Sequence, residues 1–123
     1  MKKLLSLLSI VLLLAACSST SNAEYHKLSA EDAKAKMDSE DVIIVDVRTA
    51  EEFASGHIQD AINIPVESIS GDPKELNDKD AVILVYCRSG NRSEQASRKL
   101  VDLGYTQIYD FGGIIDWPYE VVQ

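Results

Sequence analysis

The segment Val82-Ile83-Leu84-Val85-Tyr86-Cys87-Arg88-Ser89-Gly90-Asn91-Arg92-Ser93 joins a strand pattern directly to a helix pattern. Its first five residues are apolar and four of them are aliphatic, which is typical of a strand buried on both faces of a parallel sheet. The residues that follow place Ala96, Leu100 and Leu103 at helical spacing. The sequence therefore predicts a strand that ends at Cys87, a short polar loop, and a helix.

This prediction places a thiol where open α/β sheets bind ligands, between the end of a strand and the start of a helix. A tight turn at Gly90 that leads into a helix directs unpaired N–H groups inward, and such a nest of amides stabilises negative charge. Cys87 is expected at the rim of the nest, with the guanidinium groups of Arg88 and Arg92 close by. These features favour a thiolate, so we predict that Cys87 is a nucleophile rather than a small core residue.

The composition excludes one class of partner. The 123-residue chain has a formal net charge of −8, with twelve lysines and arginines against twenty acidic residues. It therefore offers no basic surface to neutralise the phosphates of a nucleic acid. Its length corresponds to one domain plus a targeting segment. Two scattered histidines without a second thiol in the domain do not form a metal site, and we expect neither a metal nor a cofactor.

Residues 1–16 have the pattern of a secretory signal, with two lysines after Met1 and an apolar run too short to span a bilayer comfortably. The run ends in small residues directly before Cys17, which resembles a bacterial lipoprotein signal. That resemblance implies removal of residues 1–16 and attachment of lipid to the sulfur of Cys17. Simple secretion, with cleavage near Ala16 or Ala23, and an uncleaved anchor are the alternatives.

Lipid on Cys17 would leave Cys87 as the only thiol in an oxidising compartment, where an unpaired thiol is a liability unless its reactivity is used. Residues 17–23 are small and polar, as in a flexible tether, and the domain is expected over residues 24–123. We expect a lipid-anchored protein of the bacterial cell envelope, on the periplasmic side in a Gram-negative host. In Gram-negative bacteria an aspartate directly after the lipidated cysteine signals inner-membrane retention. This chain has Ser18 at that position, which is compatible with the outer membrane.

The remaining apolar segments alternate with helix signals. Strands are predicted at 25–28, 42–47, 61–64 and 107–110, helices at 30–37 and 50–55, a loop with one helical turn at 67–80, and a turn with a short helix at 111–118. Ser29 is predicted to cap the first of these helices, and Thr49 with Glu52 forms a capping-box pattern before the second. This alternation predicts a three-layer α/β/α fold with a mostly parallel sheet.

With these elements in place, the chain from about Leu28 to Trp117 resembles a single rhodanese-type sulfurtransferase domain. The resemblance rests on Asp46-Val47-Arg48, Glu51-Glu52-Phe53, Gly56-His57-Ile58, Ala61-Ile62-Asn63-Ile64-Pro65, the Cys87 loop, and Gly112-Gly113-Ile114 followed by Trp117. It implies five parallel strands flanked by helices. It also implies a reaction in which the loop cysteine takes a sulfane sulfur from a donor such as thiosulfate, becomes a persulfide and passes the sulfur to cyanide or a thiol.

Carried onto this sequence, the resemblance makes Cys87 the nucleophile. It assigns substrate binding to the loop residues Arg88, Ser89, Gly90, Asn91, Arg92 and Ser93. Fixed loop amides suit a persulfide anion and a sulfite leaving group, because both need donors where charge develops. Arg92 is expected to help bind the anionic donor, whereas Arg88 either does so or points outward.

Other matched residues are expected to have structural roles. Arg48 is predicted to form an internal ion pair, because buried charges are rarely unpaired. His57 follows Gly56 in a turn motif of the family, so a structural role is favoured over a Cys–His couple. Trp117 is expected to pack in the core or against a loop, and His26 to lie at the surface.

Two other functions fit parts of the pattern. Cysteine phosphatases and arsenate reductases use a similar nest with five residues between cysteine and arginine, whereas four separate Cys87 from Arg92. The smaller cradle suits sulfur better than a tetrahedral phosphate. A non-catalytic sulfane-sulfur carrier, or a redox-sensing or partner-binding module, would keep the same residues without turnover. The favoured function is a monomeric sulfurtransferase that uses a small anionic sulfur donor and a thiol or cyanide acceptor.

Overall fold

The computed structural model describes residues 24–123, and the predicted signal peptide, Cys17 and the tether lie outside the described residues. The strands are β1 His26–Lys27, β2 Ile43–Asp46, β3 His57–Ile58, β4 Ile62–Asn63, β5 Val82–Cys87, β6 Gln107–Gly113 and β7 Val121–Val122. The α-helices are α1 Ala30–Ser39, α2 Ala50–Ser55 and α3 Asn91–Asp102. Short 3-10 helices occupy Val66–Ser68 and Ile114–Asp116.

Five strands form one parallel sheet in the order β1-β6-β5-β2-β4, which confirms the predicted sheet. Alternate side chains of β5 point to opposite faces and build two separate cores. Val85 packs with Ala96 and Leu100 of α3 on one face. Leu84 packs with Ala33 of α1 on the other. The three-layer prediction is therefore correct.

The predicted helix caps are present. The side chain of Ser29 accepts a hydrogen bond from the Asp32 amide at 3.0 Å. Thr49 and Glu52 form both bonds of a capping box at the start of α2. These local bonds satisfy amides that have no partner inside the helix, so their sequence signals were readable without tertiary information.

The prediction for the end of the domain needs one correction, because Phe111–Gly113 belongs to β6 rather than to a turn. The register between β5 and β6 shifts after Val85, so that Cys87 lies opposite Gly113. A Cβ atom at Gly113 would overlap the backbone carbonyl of Arg88. The glycine therefore lets β6 extend alongside the loop, and the predicted short helix follows at Ile114–Asp116.

Three further elements were not predicted. The short strands β3 and β7 form a separate antiparallel pair, and a 3-10 helix follows Pro65. Two- and three-residue elements are too short to show a hydrophobic period. Among residues 24–123, no helix combines the length and apolarity needed to cross a membrane.

Candidate active site

Cys87 is the last residue of β5, and its exposed fraction is only 1%. Cys87 therefore packs among the core residues on the α3 face of the sheet, deeper than the loop rim at which the sequence predicts it. The Gly90 amide donates a hydrogen bond to Cys87 Sγ, with an N–S distance of 3.0 Å. One of the loop amides is thus directed at the sulfur, as the predicted nest requires.

The loop backbone explains this geometry. Gly90 has a φ of 108°, in the left-handed region that glycine adopts without strain, and it is the N-cap residue of α3. No side chain among the described residues caps this helix end. The first amides of a helix, here those of Asn91, Arg92 and Ser93, have no acceptor within the helix. The sulfur therefore lies beside a helix end that stabilises negative charge.

Neighbouring groups hold the loop in this conformation. The fully buried Ser93 hydroxyl donates to the Gly90 carbonyl at 3.0 Å, so this predicted binding residue engages the loop itself. The Ile115 amide donates to the Arg88 carbonyl at 3.2 Å. The backbone of Gly113 packs closely against the same carbonyl. The loop is therefore fixed both by its own helix and by the end of β6.

The two loop arginines have different surroundings. The side chain of Arg88 is exposed, as are Ser89 and Asn91. Arg92 instead forms a two-pronged ion pair with Glu52 of α2, with Nη1–Oε1 and Nη2–Oε2 distances of 2.6 and 3.0 Å. This pair holds the pKa of Glu52 at about 2, mainly through the hydrogen bond from Arg92. The guanidinium group predicted to meet the donor is already paired with a carboxylate.

A buried ion pair lies at the end of the neighbouring strand. Arg48 Nη2 lies 2.6 Å from Asp46 Oδ2, and the same nitrogen donates to the Gly56 carbonyl at 2.7 Å. This contact confirms the predicted internal ion pair of Arg48. The Tyr86 hydroxyl accepts a hydrogen bond from the Ile58 amide at 3.0 Å, and burial raises the pKa of this phenol. These buried contacts connect β2 and β5 to the segment after α2.

The other singled-out side chains lie in structural contacts. His57 Nδ1 is 2.9 Å from the Phe53 carbonyl oxygen, and the two rings stack with centroids 3.8 Å apart. Trp117 packs against Phe111, and exposed His26 stacks on Tyr109. No cluster of three His, Cys, Asp or Glu side chains suited to a metal ion occurs in residues 24–123.

Residues 29–118 match the rhodanese-like domain family, which covers most of the chain. The chain belongs to this family. Residues 1–18 separately match a prokaryotic membrane lipoprotein lipid attachment site, which confirms the lipoprotein signal predicted from the sequence.

Individual relatives agree with the family assignment. A sulfurtransferase of Allochromatium vinosum is 44% identical over 81 residues, which cover 65% of this chain and 75% of the relative. The thiosulfate sulfurtransferase PspE of Escherichia coli is 37% identical over 73 residues, which cover 58% of this chain and 70% of the relative. A solved structure of an E. coli rhodanese with anions is 33% identical and has a TM-score of 0.62. The match covers 68% of this chain and 99% of the E. coli chain. These comparisons support sulfur transfer as the general chemistry of this rhodanese-like domain.

Gly113→Ala is expected to distort the cysteine loop, because the added methyl group would overlap the Arg88 carbonyl. We expect a loss of at least about 2 kcal/mol in the free energy of unfolding, as for an overpacked site. Denaturant unfolding measures this loss. Gly71→Ala is the matched control, because nothing lies within 4 Å of its Cβ position, and it should stay within about 0.5 kcal/mol of the parent. Equal stability of the two variants would contradict the close approach.

The Arg92–Glu52 pair predicts a loss of stability in acid. The folded-state pKa of Glu52, about 2, lies below its ordinary value of 4.5, so the pair's contribution is complete above about pH 4.5 and is lost as the pH falls through about 2. Because both side chains are about a quarter exposed, we expect only about 1 kcal/mol. The free-energy difference between wild type and Glu52→Gln should shrink over this interval, whereas a pH-independent difference would argue against the pair.

Proposed function

We propose that this domain moves a sulfane sulfur from a donor such as thiosulfate to a thiol or cyanide through a persulfide on Cys87. The hydrogen bond from the Gly90 amide to Cys87 Sγ carries the proposal. An amide that donates to the sulfur at 3.0 Å can also meet the negative charge that develops there during transfer. A related E. coli rhodanese was solved with anions, which supports an anionic ligand for this domain.

The first half-reaction balances without a cofactor. The Cys87 thiolate attacks the outer sulfur of thiosulfate and forms a new S–S bond. The S–S bond of thiosulfate breaks, and sulfite leaves with the electron pair. The negative charge on the persulfide then lies one sulfur further from the strand, where the first amides of α3 can meet it.

The second half-reaction restores the enzyme. Cyanide attacks the outer sulfur of the persulfide, the bond to Cys87 Sγ breaks, and thiocyanate leaves. A thiolate acceptor would carry the sulfur away as its own persulfide. In both half-reactions the fixed amides need not reorganise as charge moves between sulfur atoms, which is the condition for electrostatic stabilisation of the transition state.

Intact-mass measurement of the full-length protein tests the proposal. After exposure to thiosulfate we expect a gain of about 32 Da, one sulfur atom, on the peptide that contains Cys87. Cyanide or a thiol should then return the mass to its starting value with formation of thiocyanate or of the acceptor persulfide. Absence of the mass gain would overturn the proposal. A persulfide that no acceptor discharges would also overturn transfer and indicate a carrier or sensor.

The proposal also includes the lipid anchor. Lipid on the sulfur of Cys17, after removal of residues 1–16, would hold the domain of residues 24–123 at the membrane through residues 17–23. The match of residues 1–18 to a lipid attachment site supports this arrangement. In a Gram-negative host the same match supports a position on the periplasmic side of the membrane. Ser18 is compatible with the outer membrane as the destination.

Cys17→Ser is expected to move the protein from the membrane fraction to the soluble or precursor pool, because the sulfur that accepts the lipid is lost. Fractionation of cells that express the two forms, with mass spectrometry of the N-terminal peptide, measures this change. Ser19→Ala is the control and should leave the protein in the membrane fraction. A processed Cys17→Ser protein, without residues 1–16, that stays in the membrane fraction would contradict the anchor.

A further inference from the structure

We infer that Glu52 determines which donor charge the site accepts, by pairing with Arg92 and so disfavouring dianionic sulfur donors relative to monoanionic ones. This inference rests on the proposed function and extends it to the class of donor. Glu52 touches no reacting atom in this arrangement and acts through Arg92. It is therefore a positioning residue that comes from outside the cysteine loop.

Glu52 binds both terminal nitrogens of the Arg92 guanidinium group. Each Glu52 oxygen contacts a different terminal nitrogen of the guanidinium group, at 2.6 and 3.0 Å. Glu52 is itself held by Thr49, whose amide and hydroxyl both donate to Oε1 at 3.3 and 3.2 Å. The capping box thus fixes the carboxylate that faces Arg92, and an incoming anion competes with a preformed partner.

The pairing of Glu52 with Arg92 reduces the net positive charge near Cys87 Sγ. Arg92 lies in the first turn of α3, directly after the Gly90 turn whose amide meets Cys87 Sγ, so its charge contributes to the field near the sulfur that a donor must reach. Glu52 is ionised at neutral pH and balances that positive charge. The second guanidinium group of the loop, that of Arg88, is exposed and therefore screened by solvent. A donor consequently meets a less positive site than two loop arginines would provide.

Coulomb energy scales with donor charge, which makes the effect measurable. Thiosulfate carries two negative charges, and methanethiosulfonate carries one. Both give the same persulfide when Cys87 attacks the outer sulfur, the donor S–S bond breaks, and sulfite or methanesulfinate leaves with the electron pair. Differences between the donors therefore report on donor binding and reaction, whereas discharge of the persulfide is common to both.

The test compares KM and kcat for the two donors in the full-length wild type, Glu52→Gln, Glu52→Asp and Glu51→Gln. Glutamine can keep the capping bonds but removes the charge. We expect Glu52→Gln to lower KM about ninefold for thiosulfate and about threefold for methanethiosulfonate, because the dianion gains twice the free energy, with kcat nearly unchanged. Glu52→Asp keeps the charge and should retain the wild-type ratio of the two KM values.

Glu51→Gln is the matched control, since this exposed neighbour on the same helix loses the same charge without contacting Arg92. Its KM values should change by less than about 1.5-fold, as screening of exposed charges predicts. High salt should reduce the difference between Glu52→Gln and wild type. An unchanged or increased ratio of the thiosulfate KM to the methanethiosulfonate KM in Glu52→Gln would overturn the inference, as would equal effects in the two glutamine variants.

If Glu52→Gln does not fold, Arg92→Gln provides the opposite test. Loss of the arginine leaves Glu52 unbalanced, so KM should rise about ninefold for thiosulfate and about threefold for methanethiosulfonate. Equal changes for both donors would overturn the inference. In either case, persulfide formation by the wild type with both donors shows that the proposed function stands. A wild type that accepts sulfur from neither donor would overturn the function and the inference together.

Discussion

Cys87→Ser is expected to abolish sulfur loading, with a fall of more than about 1,000-fold in the rate of thiocyanate formation. A hydroxyl group cannot form the persulfide and has no accessible anionic form at neutral pH. The substitution is nearly isosteric, and a serine oxygen can still accept the hydrogen bond from the Gly90 amide that now reaches the sulfur. The fold should therefore remain close to that of the wild type.

The measurements are intact mass after thiosulfate, the rate of thiocyanate formation and the thermal unfolding midpoint. Cys17→Ser is the matched control, because it removes the other cysteine of the chain and leaves the loop unchanged. The control should load one sulfur per chain, whereas Cys87→Ser should load none. Sulfur transfer that survives Cys87→Ser would rule out this residue as the nucleophile.

Arg48→Ala is expected to produce the largest loss of stability, about 3–5 kcal/mol in the free energy of unfolding. Asp46 is completely buried, and its carboxylate is held by three side-chain hydrogen bonds from Arg48, with N–O distances from 2.6 to 3.0 Å. Removal of the guanidinium group would leave an uncompensated charge inside the protein. The lost hydrogen bond to the Gly56 carbonyl adds to the cost.

Arg98→Ala is the control for loss of an arginine ion pair, because its contact with Glu94 lies on the surface of α3. That variant should keep a denaturant midpoint close to that of the wild type, because solvent screens an exposed pair. A double change of Asp46→Asn and Arg48→Met should recover much of the stability lost in Arg48→Ala, since no charge is then buried. Equal losses for Arg48→Ala and Arg98→Ala would contradict the importance of burial.

Much of the fold was predictable because its signals are local. The apolar run of β5, the helical spacing of Ala96 and Leu100, and the Thr49–Glu52 capping box each involve residues close together in the chain. Hydrophobic periodicity and capping report which groups must be buried or paired within one element. The alternation of such elements was sufficient to predict a parallel sheet with helices on both faces.

The candidate site was predictable in its residue types but not in all its contacts. A glycine in the turn before a helix predicted amides directed inward, and the Gly90 amide does meet Cys87 Sγ. The depth of the sulfur was missed, because burial depends on what covers the loop. Gly113, on β6, packs against the carbonyl of Arg88, and only the pairing of β5 with β6 brings these two residues together.

The parallel α/β architecture, the cysteine loop and the lipoprotein signal can each be predicted without a structure, because each is encoded in residues that are neighbours along the chain. The pairing of Glu52 with Arg92 becomes visible only in the folded chain, since the two are 40 positions apart and Glu52 already has a sufficient local role as a capping residue. The electrostatic field at the sulfur is the sum over all charges that folding brings close to it. A charge from another helix counts as much as one from the loop itself.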